Sequence, residues 1–305
     1  MNNTTMNNTT MNNTTNITTI TRNPARGITV ACVLCTLLAG TACGDGDGGT
    51  GTLKVTTYGE DFIEQQIPAA SGGGEGIVDG YTVTYSKFLV CLDGLTVADR
   101  DGNVGARLTE QRVFDLHPAG PHSVTTFDDL DARRWDSVGV RVAPASGATA
   151  GNATTADVKL MNNGGHSVYV EGQSVKGSDT LSFQWGFATT TRYEDCQEKS
   201  TGSGIVIPSG GAATIEFTIH GDHLLYDDLQ SADPSLRFEA IANADADSDG
   251  EVTLQELSQV DLTTLPPSQY GTGGAGSVKT LADFVTALTR TLVHYQGEGH
   301  CHSGS

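Results

Sequence analysis

Ile215, Phe217 and Ile219 alternate with Thr214, Glu216, Thr218 and His220, so one side of this segment is apolar and the other polar. That is the two-residue period of a half-buried strand. The same period runs through most of residues 52–220, in RVFDL, VGVRVAP, SVYVEG, DTLSFQWGFATTTRY and GIVIP, with Gly, Pro, Asn and Asp between the runs. About eight short strands separated by turn residues predict a mainly β fold, an antiparallel sandwich or barrel. Within it, GYTVTYSKFLVCLDGLTVAD (80–99) alternates and then turns continuously apolar, which predicts a partly buried strand pair. DDLDARRWDSV (128–138) predicts one short helix. The 38 glycines and an aromatic share of 6% suit many turns and short strands.

The period changes after His220. Asp233 is a good N-cap and Pro234 a favoured first helical residue, with Phe238 and Ile241 on one face, which predicts a helix over 234–243. A second helical segment, 253–260, follows an acidic loop. Leu281, Phe284, Val285, Leu288, Leu292 and Tyr295 form one stripe, predicting an amphipathic helix closed by Gly297. The expected organisation is therefore a β-sandwich over 53–230, then a segment 231–305 that carries a helix-loop-helix and one amphipathic helix and packs on the sandwich.

Residues 1–21 are a low-complexity MNNTT extension with no apolar period, either a flexible addition or coding sequence read from too early a start. Arg22 and Arg26 precede an apolar run of twelve, Ile28 to Ala39. A bilayer takes about 20 apolar residues to cross, so 22–42 reads as a cleaved export signal. Gly40-Thr41-Ala42 supply the cleavage site, Cys43 follows, and 43–52 is a Gly/Asp tether. This arrangement resembles bacterial lipoproteins, although Gly40 stands where that family favours Leu. The resemblance implies that Cys43 is acylated, that membrane lipid is a partner, and that the protein is exported and held in the cell envelope, on its periplasmic or surface face. Cys32 and Cys35 leave with the signal. Acylation of Cys43 leaves Cys91, Cys196 and Cys301; ordinary cleavage after Ala42 leaves four cysteines and three possible pairings. Export places them in an oxidising compartment. Cys196 with Cys301 is the favoured bridge, because Cys91 sits inside an apolar strand.

The stretch ADADSDGEVTLQE (244–256) places acids at a regular spacing. Asp245, Asp247 and Asp249 stand first, third and fifth in a twelve-residue frame, Gly250 sixth, Glu251 seventh, Thr253 ninth and Glu256 twelfth. In this register the stretch resembles the EF-hand family. The resemblance implies one calcium ion as cofactor, held by Asp245, Asp247, Asp249, the Glu251 carbonyl, Thr253 and a bidentate Glu256, with Gly250 making the turn. EF-hand loops usually pair, and no second loop is found. A lone exported site is expected to be weak and structural.

Two His-rich stretches offer a different chemistry. IHGDHLLYDD carries His220 and His223, and HYQGEGHCH ends in His300 and His302 after His294, which the helical reading places on a flank away from the stripe. Imidazole suits copper or zinc, so a periplasmic copper- or zinc-binding protein using these histidines is an alternative. A second alternative is an envelope hydrolase stabilised by calcium. No zinc helix, nucleophile elbow or phosphate loop occurs, and Trp135 and Trp185 read as core, so a non-catalytic binding or structural role is expected over an enzyme. With 17 Lys plus Arg against 36 Asp plus Glu, nucleic acid is excluded as a partner. An envelope protein or glycan is the expected partner.

Overall fold

The computed structural model describes residues 48–71, 75–198 and 202–304. The segment expected to be an export signal, Cys43 and the first half of the expected tether lie outside the described residues. Strand β1 (Thr50–Gly59) opens the fold and helix α1 (Asp61–Glu64) turns the chain into β2 (Thr82–Ala98). Short strands follow: β3 (Val104–Leu108), β4 (Arg112–Asp115), β5 (His122–Asp131), β6 (Arg134–Trp135), β7 (Ser137–Val142) and β8 (Thr149–Ala150). After helix α2 (Thr155–Gly164) come β9 (Val168–Lys176), β10 (Asp179–Phe187), β11 (Thr191–Glu198), β12 (Gly202–Ser203), β13 (Ile205–Val206) and β14 (Ala212–Ile219). The last part holds α3 (Glu239–Ala242), β15 (Glu251–Val252), α4 (Leu254–Leu257), α5 (Leu281–Leu288), β16 (Val293–Tyr295) and β17 (His300–Gly304). The protein is mainly β with few helices, as the alternation predicts. Among the described residues no helix is long and apolar enough to cross a membrane.

Two sheets carry the fold. The larger runs β12-β11-β7-β2-β9-β10-β15, with β3 and β4 on β2, β8 on β4 and β17 on β11; the smaller runs β16-β14-β1-β5. Most pairings are antiparallel. The β1–β14 pair is parallel, with Gly59 opposite Ile219, and this departs from the all-antiparallel expectation. A long stretch of chain separates the two strands, so no hairpin constrains their direction.

The run 80–99 is one strand of 17 residues rather than a strand pair. Its apolar centre is continuous because both faces are covered there. Phe88, Val90 and Leu92 enter the main core, while Leu89 and Cys91 lie in a second cluster with Met161 of α2. Gly94, at φ +58°, marks the register shift that lets so long a strand keep pairing with β7. The main core joins Phe88, Phe183, Trp185, Phe217, Phe238 and Phe284, so residues before and after 230 share it.

Several predicted helices are shorter or absent. Residues 128–138 form β5, β6 and the start of β7, because Leu130 pairs across to Gly51 of β1 and Trp135 is buried. The helix expected over 234–243 is confined to α3. Asp79, not Asp233, holds its start, accepting hydrogen bonds from the Phe238 and Glu239 amides at 2.9 and 2.8 Å. The amphipathic helix stops at Leu288 instead of reaching Gly297. Thr289 and Thr291 donate their hydroxyls back to the Thr286 and Leu288 carbonyls, and residues 293–295 join β14 as an edge strand. Leu292 and Tyr295 are buried all the same, which is why a stripe alone could not tell the two conformations apart. Helix α2 carries a Thr154/Asp157 capping box and a left-handed Gly165 at its end, sequence signals that the strand reading passed over.

Candidate metal centres

The acidic loop lies between α3 and α4. Asp245, Asp247 and Glu256 bring carboxylate oxygens within 4.8 Å of one another. The backbone wraps around Asp245, which accepts from the Asp249 and Gly250 amides, each at 3.2 Å. Gly250 has φ +85°, a left-handed conformation that costs Gly least. Asp249 accepts from the Glu251 amide at 2.8 Å, and Thr253 forms a capping box with Glu256. Hydrogen bonds from Thr253, and one from the Ala246 amide, hold the Glu256 carboxyl below its usual range. Glu251 and Val252 form β15 and pair with Ser182 and Phe183 of β10. Val252 is fully buried, and the Trp185 indole donates to its carbonyl at 2.8 Å. The donor set is all oxygen, which fits a hard cation such as calcium.

The second centre is assembled from four places in the chain. Glu60 follows β1, His220 follows β14, Asp222 and His223 belong to the 3-10 turn 222–225, and His294 is the middle residue of β16. The parallel register Gly59↔Ile219 brings Glu60 to His220, and the Thr218↔His294 pairing puts His294 diagonally across from His220. Gly221 lets the turn pack tightly: a Cβ there would meet Ile63 Cγ1 at 2.4 Å.

The rings of His220 and His294 are 4.1 Å apart between centroids, His220 and His223 5.1 Å, and His223 and His294 5.0 Å. His220 and His223 are each 5% exposed and Asp222 is 9% exposed. His220 Nδ1 lies 3.1 Å from Glu60 Oε2. His223 Nδ1 lies 2.8 Å from the Thr291 carbonyl, which can only accept, so this nitrogen carries the proton and Nε2 keeps its lone pair. The centre opens into a cleft of about 470 Å³ whose ionisable lining is acidic apart from the imidazoles: Glu60, Glu75, Asp222, Asp233 and Glu298.

Burial dominates the electrostatics here. It pushes His294 down to about 2 and His223 down to about 3, in both cases reinforced by the neighbouring His220. Burial also opposes the charge on His220, but the hydrogen bond and charge of Glu60 outweigh it and raise the His220 pKa. Asp222 is pushed up to about 8, first by burial and then by the Glu60 charge. His223 and His294 are thus neutral near pH 7, with lone pairs available.

His220 and His223, predicted as ligands, do meet. His300 stands at the rim, its ring 5.0 Å from that of His294. His302 points away, its side chain 80% exposed and nearest to Asp195. Glu60 was missed, and His294 was set aside because the helical reading put it on a flank away from the stripe. A strand reading of Val293–Tyr295 would have turned His294 away from its buried neighbours, whereas Glu60 carries no local signal. Comparison with protein-family models, with curated proteins and with solved structures finds no match for this chain. Both centres are therefore read from their own geometry.

Proposed function

We propose that this protein is an exported, lipid-anchored binding or structural module of the cell envelope, with one structural calcium ion in an EF-hand-type loop. The ion is held by Asp245, Asp247, Asp249, the Glu251 carbonyl, Thr253 and Glu256. The observation that carries the reading is the seating of Glu251–Val252 as an edge strand on β10, where a second loop would ordinarily pair. The sheet thus supplies the support that a lone loop lacks. Clustered carboxylates repel each other, and a cation removes that cost. A role in binding rather than catalysis is consistent with the chain's motifs, and the acylated Cys43 would keep that binding at the envelope, against an envelope protein or glycan.

Thermal melting of the purified protein across free-calcium levels tests the ion. With an affinity of about 0.1 mM, 1 mM calcium adds about 1.4 kcal/mol of stability. The rise is expected to vanish in Glu256→Gln, and an equal rise in that variant would refute the site. Cys43→Ser is expected to move the protein from membrane to soluble fractions; continued co-sedimentation with membranes would refute the anchor.

A further inference from the structure

We propose that the cleft beside β14 is a second metal site, which binds one late first-row divalent ion such as copper or zinc through His220, His223 and His294. The inference is independent of the calcium reading and names what the cleft takes up. Two overlapping sets of ligand atoms share His220: those of His220, His294 and Glu298 fall within 4.8 Å of one another, and so do those of His220, Asp222 and His223. A nitrogen-rich set selects copper or zinc over calcium and magnesium, which prefer oxygen.

The surrounding groups are arranged as a metal requires. Metal-ligating histidines hand their other N–H to a carboxylate or backbone carbonyl, which fixes the ring and aims the bare nitrogen at the ion. His223 has the Thr291 carbonyl in that role and His220 has Glu60, while His220 Nε2 faces the Gly297 carbonyl at 3.5 Å, a contact that an ion would have to replace. Glu60 Oε1, Asp222 Oδ1 and His294 Nδ1 are buried with no hydrogen-bond partner. They make up three of the eight such side-chain atoms among the described residues, all in this one cleft. Buried polar atoms are rarely left unpaired, and a cation would satisfy the two carboxylates as well as the imidazoles. Asp222 stands with His220 and His223, and Glu298 with His220 and His294, so either set offers a carboxylate to complete the coordination. The acidic lining draws in a cation, and the open mouth of the cleft provides its entry path.

Protein stripped with EDTA and titrated separately with Zn²⁺ and Cu²⁺ tests the site by calorimetry. One ion per chain is expected. His223→Gln and His294→Gln should each weaken it at least tenfold, and Glu60→Gln, which removes an orienting partner, by about 10- to 100-fold. His302→Gln and Glu256→Gln should leave it unchanged, which separates this site from the chain's His-Cys-His end and from the calcium loop. No saturable binding of either ion would overturn the proposal. So would binding indifferent to His223 and His294, or binding lost only with His302. Should a histidine variant fail to fold, Co²⁺ added to the unaltered protein decides the matter. Visible d–d bands displaced by one equivalent of Zn²⁺ support the site, and a spectrum of hydrated Co²⁺ refutes it.

Discussion

Lys87 Nζ stands 2.6 Å from Asp157 Oδ1, and Asp157, only 4% exposed, also closes the capping box of α2. Burial opposes the charge on Asp157, but the Lys87 and Thr154 hydrogen bonds win and hold its pKa below the ordinary 3.8. The Asp157 hydrogen bond in turn lifts Lys87 above 10.5. A depressed carboxylate stabilises the fold above its unfolded pKa and loses that contribution as pH falls through its folded one. A raised amine does so below its unfolded pKa, and loses it as pH rises through the folded value. The pair therefore contributes fully between about pH 4 and pH 10. Asp157→Asn is expected to cost roughly 1.5–3 kcal/mol at pH 7. Urea midpoints across pH should show the gap to the unaltered protein narrowing as pH falls below about 4; a gap that does not narrow at all with falling pH would make the role of Asp157 packing, not charge.

At the scale of the elements, β17 matters beyond its five residues. Cys301 within it is bonded to Cys196 of β11, across a separation of 105 residues, and Cys91 is left as a buried free thiol. The pairing agrees with the placement of Cys91 in an apolar strand. Burial pushes the Cys91 thiol up to about 12, which keeps it unreactive. Closing so long a loop restricts the unfolded chain, and removal of the bridge in Cys196→Ser/Cys301→Ser is expected to cost about 2–5 kcal/mol. Chemical denaturation of the double variant measures this, and a change under about 1 kcal/mol would show that strand pairing alone holds β17. The element scale is also where sequence reading failed most. Thr, Val and Leu at 286–295 satisfy a helical stripe and an edge strand equally well. The choice was made by β14, whose free edge offered Tyr295 and Val293 ladder partners.

At the scale of the whole molecule, a chain of formal net charge −19 gathers acids in two places with different companions. In the loop 245–256 the acids stand with backbone amides and a hydroxyl at the edge of the large sheet. In the cleft they stand with imidazoles at the end of the small one. On the two proposals above, hard and borderline cations would have separate sites.

The sequence by itself determined what is local. Alternation set most of the strands and their buried faces, and the acidic spacing set the loop, while the cysteine pairing stayed open with Cys196–Cys301 only favoured. A period, a cap or a loop register is written within a dozen residues and survives wherever the segment is placed. Tertiary structure decided what depends on distant partners. The parallel pairing of β1 with β14 brought Glu60 to His220. The edge of β14 turned a helical stripe into β16 and so delivered His294, and β10 gave the acidic loop a strand to lean on. Backbone amides and carbonyls pair with whatever edge the fold presents, and no local pattern names that edge in advance.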